Sequence, residues 1–222
     1  MKLTFFFFFL KLKHTFQIAR ETRTIQNNVI VLLQDNDEVV GLGEAAPTSY
    51  FGEDVHSVTS VLAQSADLLS HSDPFQIEDI TNRLKNEFPE SAAARASIDI
   101  ALHDIIGKKL KIPLYRLLGL NRPESKTTSF TIGIDTLEKM GKKVEEAKDF
   151  PLLKIKVGFK DDIEILRELR KMTRAVFRVD ANTGWTPDEA IKKLNLMEDL
   201  GVELVEQPFP VGSIESLRQI RR

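Results

Sequence analysis

The sequence predicts an α/β protein in two parts: a small α+β domain, then an array of alternating parallel strands and helices. Three observations carry this. The first 45 residues are patterned as strands, and the stretch from Val55 to Gly107 spaces its apolar residues as helices do. After the turn-rich segment Asn121-Arg122-Pro123-Glu124-Ser125, strand and helix patterns then alternate to the last residue. That segment sets the expected domain boundary, giving 1–122 and 123–222.

Residues 5–9 are five consecutive phenylalanines behind Lys2; Leu10, Leu12 and His14 then alternate with Lys11 and Lys13. The apolar run is interrupted by Thr4 and leads into Lys11-Leu12-Lys13-His14 with no small-residue cleavage site. It therefore predicts an aromatic-rich strand rather than the core of a secretory signal. It is also far shorter than the roughly 20 apolar residues needed to span a bilayer. Residues 29–34 form a β-branched, Leu-rich run, Asp35-Asn36-Asp37 a turn, and 38–44 a returning strand, with polar residues 20–24 as a connection. Val55, Val58, Val61, Leu62, Leu68 and Leu69 have helical spacing, as do Ile77, Ile80 and Leu84. Residues 92–106 read as an Ala-rich helix ended by Gly107.

In the second part, strands are expected at 129–132, 152–157, 176–180 and 203–206. Helices are expected at 137–148, 162–172 and 187–200, with a last segment from Ile214. The third helix is punctuated most clearly, with Thr186 as N-cap, Pro187 in the first turn, Glu189 completing a capping box and Gly201 past the end.

The 31 Lys+Arg against 33 Asp+Glu give a formal charge of −2, with 42% hydrophobic and 29% charged residues. No sign of charge dominates, which excludes a disordered tail and a generic polyanion binder; neither a nucleic-acid nor a membrane partner is expected. The absence of cysteine excludes disulfides, thiolate metal sites and a Cys nucleophile, and suits a cytoplasmic location.

Side chains that do chemistry in a parallel βα array sit at the carboxyl ends of the strands. Those ends read Leu153-Lys154-Ile155-Lys156-Val157-Gly158, Phe177-Arg178-Val179-Asp180-Ala181-Asn182 and Leu204-Val205-Glu206-Gln207-Pro208. Strand alternation puts Lys154 and Lys156 on one face, Arg178 and Asp180 likewise, and Glu206 opposite Val205. The apolar set must face the helices, so these charges point inward, where isolated charge is costly. They form either a buried ion-pair network or a reactive site. Asp180 and Glu206 suit a hard divalent cation such as Mg²⁺. Of two lysines at i and i+2, one suits general-base work: a like charge and desolvation lower its pKa. Together they suit removal of a proton next to a carboxylate.

Other motifs carry less. Gly41-x-Gly43-x-x-Ala46 fits a dinucleotide fingerprint, but Pro47-Thr48-Ser49 begins a loop rather than a helix N-terminus, so a hairpin end is expected. His14, His56, His71 and His103 lack the spacing of a metal site. Lys108-Lys109 and Lys142-Lys143 are expected on solvated faces, and Trp185 in core or rim packing.

Lys154-x-Lys156, Asp180-x-Asn182 and Glu206-Gln207-Pro208 at successive strand ends resemble the enolase superfamily, in its muconate-lactonizing-enzyme subgroup. Gly41-Leu42-Gly43-Glu44-Ala45-Ala46-Pro47 and Ala101-Leu102-His103-Asp104-Ile105-Ile106-Gly107-Lys108 are similar to that family's capping domain. Ile18-Ala19-Arg20-Glu21-Thr22-Arg23 and Thr128-Ser129-Phe130-Thr131-Ile132-Gly133 resemble the dipeptide epimerases, the L-Ala-D/L-Glu epimerase group.

The resemblance implies an enolase-like fold: a capping domain, then the first half of a (β/α) TIM-type barrel. It implies Lys156 as base, Lys154 as its tuning partner, and Asp180 and Glu206 as two of three Mg²⁺ ligands. Arg20, Arg23, Thr131, Tyr50 and Phe51 would meet a dipeptide substrate. It also implies a third ligand and an opposing lysine from strands beyond these 222 residues. The chain thus reads as truncated mid-barrel and is expected to be inactive alone. Other subgroup chemistries fit the same residues: o-succinylbenzoate synthesis, cycloisomerisation and N-acylamino-acid racemisation. The family setting includes cell-wall peptide recycling and allows a homo-oligomer.

Overall fold

A computed structural model of the chain describes residues 1–121 and 126–221. The expected boundary between 122 and 123 lies outside the described residues. Contacts divide the chain into two compact units, one of Met1–Lys11 with residues 25–121 and one of Leu12–Thr24 with residues 126–221.

Strands β1 (Lys2–Gln17), β2 (Thr22–Gln34) and β3 (Val40–Ala45) form a sheet in that order; β1 up to Lys11, β2 from Ile25 and all of β3 belong to the first unit. The Phe-rich run is thus part of a long strand. β2 begins at Thr22, inside the stretch expected to be a polar connection. A tight turn closed by Ile18 N–H donating to the Glu21 carbonyl at 2.9 Å makes the longer connection unnecessary. β2 and β3 pair antiparallel from Val29↔Ala45 to Gln34↔Val40 around the Asp35–Val39 turn. Val29, Val31 and Leu33 alternate inward and are fully buried.

They meet helices α1 (Val55–Ser70), α2 (Ile77–Glu87) and α3 (Ala92–Leu110), which supply Val58, Leu62, Leu69, Ile80, Leu84, Ile98 and Leu102. A short helix α4 (Leu114–Leu117) follows. α3 passes through Gly107 and ends at Lys111, which takes a left-handed φ of 54°. A helical glycine costs only about 1 kcal/mol, less than the buried side chains of Ile105 and Ile106 contribute to holding the turn.

The glycines of the fingerprint-like motif serve packing. A Cβ on Gly41 would lie 2.1 Å from the Ala101 carbonyl oxygen, and one on Gly43 would lie 1.9 Å from that of Ser97. β3 therefore lies against α3 with no room for a side chain. Lys109 is not on a solvated face, since it ion-pairs with Asp35 and, at 2.8 Å, with Asp37.

In the second unit, β4 (Phe130–Ile132), β5 (Leu152–Lys156), β6 (Val176–Asp180) and β7 (Val202–Glu206) form a parallel sheet in chain order. Helices α5 (Leu137–Glu146), α6 (Asp162–Met172), α7 (Pro187–Asp199) and α8 (Ile214–Ile220) alternate with them. Leu153, Ile155, Phe177 and Val179 are fully buried and pack with Met140, Leu166, Leu169 and Met197 of the helices. Facing the helices with these residues forces the charged positions onto the other face. Lys143 also departs from the solvated face expected of it, pairing with Asp135 at 3.1 Å while Lys142 stays exposed. Adjacent helical residues point about 100° apart, so paired lysines rarely share an environment. Among the described residues no helix is long and apolar enough to cross a membrane.

Candidate active site

Parallel register assembles the site. Thr131 pairs with Lys154 and Lys154 with Arg178, while one pleat further Lys156 pairs with Asp180 and Asp180 with Glu206. Register partners in a parallel sheet project to one face, so the predicted residues from three strands meet.

Lys154 Nζ lies 2.8 Å from Asp180 Oδ2 and 2.7 Å from Glu206 Oε2. Lys156 Nζ donates to Asp180 Oδ2 at 2.7 Å and to Asn182 Oδ1 at 3.1 Å. The Asn182 backbone N–H in turn donates to Asp180 Oδ1 at 3.0 Å. Side-chain exposure is graded: 2% for Asp180, 10% for Lys156, 24% for Lys154 and 51% for Glu206. Asp180 is the buried hub and Glu206 the open rim.

Burial works to raise the Asp180 carboxyl, but the hydrogen bonds from Lys154 and Lys156 outweigh it and hold the group below the usual carboxylate range. Burial likewise works to lower Lys154, yet its bonds to Asp180 and Glu206 raise it above the ordinary lysine value. Lys154, the expected tuning partner, is thus itself held in its charged form. Two carboxylates within hydrogen-bond reach outweigh one nearby like charge.

Arg178 shares the face as predicted but bonds Glu203 Oε2 at 2.8 Å and is half-buried. A register irregularity between Phe177 and Arg178 brings Glu203 there. Three cations therefore face three carboxylates. Lys154, Lys156, Asp180 and Glu206 are joined in one ion-pair network, and the Arg178–Glu203 pair stands beside it.

Asp180 and Glu206 fit a hard divalent cation on one observation: both carboxylates already converge on a single cationic centre, the Lys154 ammonium. Among the described residues no three acidic or histidine side chains gather tightly enough to hold a metal ion.

The strand-end loops store strain. Asn182, Thr183 and Gln207 take left-handed φ angles of 44°, 69° and 46°, at about 1–2 kcal/mol each for residues other than glycine. Backbone bonds between the loops compensate: Ala181 N–H to Glu206 O at 3.1 Å, Thr183 N–H to Gln207 O at 2.8 Å and Trp185 N–H to Pro208 O at 3.1 Å.

Of the predicted substrate residues, Thr131 is half-buried beside Lys154 in register. Arg20 is exposed, and Arg23 bonds Glu21 at 2.8 Å. Their loop reaches the end of β5, since a Cβ on Gly158 would stand 2.9 Å from the Ala19 Cβ. Tyr50 and Phe51 lie in the first unit, in the 3₁₀ turn Ser49–Phe51, exposed and edge-to-face at 5.0 Å. Asn182, to which the motif assigns no role, accepts from Lys156; its place two residues after Asp180, on the same strand end, is the sequence signal for it. Trp185 is buried, and its indole N–H donates to Asp162 at 2.8 Å.

Comparison with known proteins agrees with this architecture. Residues 4–119 match the mandelate racemase/muconate lactonizing enzyme N-terminal domain, and residues 137–222 match the enolase C-terminal domain-like family. An L-Ala-D/L-Glu epimerase of Bacteroides thetaiotaomicron is 39% identical over 219 residues, 98% of this chain and 57% of its own length. A dipeptide epimerase from Enterococcus faecalis V583, crystallised with Mg and the dipeptide L-Leu-L-Tyr, superposes with a TM-score of 0.93 at 33% identity, covering 99% of this chain and 64% of that one. The L-Ala-D/L-Glu epimerase of Bacillus subtilis, in a substrate-liganded complex, superposes at 0.92 with 31% identity over 99% of this chain and 65% of that one. The chain thus spans about three fifths of the relatives it matches. It belongs to the mandelate racemase/muconate lactonizing enzyme family of the enolase superfamily.

Proposed function

We propose that this chain carries the proton-abstracting lysine and two metal ligands of a cytoplasmic, Mg²⁺-dependent dipeptide epimerase acting on substrates of the L-Ala-D/L-Glu type. The observation that supports it most is the convergence of Lys154, Lys156, Asp180 and Glu206 from three successive strand ends. That constellation sits in a chain whose relatives are named epimerases.

Lys156, the more buried lysine, takes the α-proton from one face of the substrate as general base. Lys154, held charged between two carboxylates, supports the negative charge that develops as the proton leaves. Asn182 fixes the Lys156 amine by accepting one of its hydrogens. Asp180 and Glu206 would hold the divalent cation, which when bound would supply electrostatic stabilisation to the negative charge developing on the substrate. Arg20 or Arg23 pairs with an anionic group of the dipeptide, and Thr131 lines the site. Residues 1–122 serve as the capping domain and 123–222 as the first half of the barrel.

The test is chirality-resolved turnover by the full gene product with Mg²⁺ and a panel of dipeptides. Interconversion of L-Ala-L-Glu and L-Ala-D-Glu is expected. No epimerisation of any dipeptide, or β-elimination or lactone products in its place, contradicts the reading and points to another chemistry of the family.

A further inference from the structure

Directly behind the reacting lysine lies a second charged cluster that the proton-transfer scheme does not use. Asp162, at the first turn of α6, has no solvent exposure. Its Oδ1 accepts from the backbone N–H groups of Gly158 and Phe159, both at 3.1 Å. Its Oδ2 accepts from the Trp185 indole N–H at 2.8 Å and from Lys193 Nζ at 2.5 Å. Lys193 also donates to the Phe159 carbonyl at 3.2 Å and lies 5.0 Å above the Trp185 ring.

One buried carboxylate thus grips the turn that begins two residues after Lys156. It also grips the loop that begins two residues after Asp180. The two loops are in backbone contact: a Cβ on Gly184 would lie 2.8 Å from the Gly158 Cα, and one on Gly158 would lie 2.8 Å from the Ala181 carbonyl oxygen. Gly158 also takes a φ of 113°, which side-chain-bearing residues rarely adopt. A fully buried carboxylate with four donors is far more specific than a first-turn acid that merely complements a helix dipole.

We propose that Asp162 is a positioning residue. Through Gly158 and Trp185 it sets the distance between the Lys156 amine and the Asp180–Asn182 strand end. This rests on the reading of Lys156 as the proton-transfer group. Neutralising Asp162 or removing the indole N–H lets the two loops shift independently, and tenths of an ångström at Lys156 lower the rate without changing how substrate binds.

The test compares the full gene product with D162N, W185F and, as a control on the exposed side of the same helix, K171A. Trp185 is the one tryptophan in the sequence, so its emission reports the cluster directly, without metal or substrate. Expected for D162N are a red-shifted emission and readier acrylamide quenching at unchanged helix content. Faster amide exchange at residues 157–159 is expected in both D162N and W185F. Expected for W185F is a kcat about tenfold or more below the parent with KM within about twofold, the size typical of losing a supporting hydrogen bond behind a reactive group. K171A should match the parent throughout. The proposal is overturned if amide exchange at 157–159 is unchanged in W185F, or if W185F retains full kcat. If the parent itself turns over no dipeptide, the proton-transfer reading fails, while the exchange arm still decides whether Asp162 and Trp185 lock the turn.

Discussion

Glu146 shows how much one surface carboxylate depends on the strand opposite. Hydrogen bonds from Lys13 at 2.7 Å and His14 at 2.8 Å lower its pKa to about 2 from an ordinary value of 4.5. A carboxyl whose pKa is depressed by folding contributes stability that is complete above the unfolded value and lost as pH falls towards the folded one. The difference in urea midpoint between the parent and E146Q should therefore be constant above about pH 5 and shrink to nothing towards pH 2. A difference independent of pH across that window would show that the contact does not couple to folding. None of this was legible in the sequence, because Lys13 and Glu146 are brought together only by tertiary structure. The site residues were legible for the opposite reason. Lys154, Lys156, Asp180 and Glu206 all sit at strand ends, where strand period and topology alone decide the face. What escaped was the cross-strand pairing, in particular the two carboxylates that keep Lys154 charged.

Element by element, legibility followed local chemistry. The capping box at α7 reads directly from Thr186 and Glu189 and is present as read. The end of α3 lies beyond Gly107 because glycine is a stop signal only where packing permits: buried Ile105 and Ile106 before it and the Lys109 ion pairs with Asp35 and Asp37 after it carry the helix on to Lys111. The glycines of β3 sharpen the same point, since their role appears only once α3 lies against them. G43A forces a methyl into the Ser97 carbonyl, a backbone atom that cannot step aside, so the sheet must lift from the helix. The expected cost is about 2–3 kcal/mol in urea unfolding, at the upper end of overpacking effects. A loss under about 0.5 kcal/mol would mean that β3 and α3 are not in the tight contact described here.

Across the whole molecule, the second unit divides its sheet into two chemically opposite faces. One is closed by helices over Leu153, Ile155, Phe177 and Val179; the other gathers Lys154, Lys156, Asp180 and Glu206 towards the strand ends, with the Arg178–Glu203 pair further back along the strands. Buried charges arranged solely for stability are seldom worth their desolvation, and well-packed apolar residues often serve as well. Their concentration where the βα loops open is what supports the proposed reading of this face as a reaction site. On the proposed reading, Lys156 moves the α-proton. The direct measurement is proton NMR of L-Ala-L-Glu in D₂O with Mg²⁺ and the full gene product, following loss of the glutamate α-proton signal. The parent and K13A, altered at an exposed lysine of β1, should exchange that proton at similar rates. K156A should be slower by a factor of about 10² or more, the contribution of a positioned general base. Exchange by K156A at the parent's rate would contradict the account.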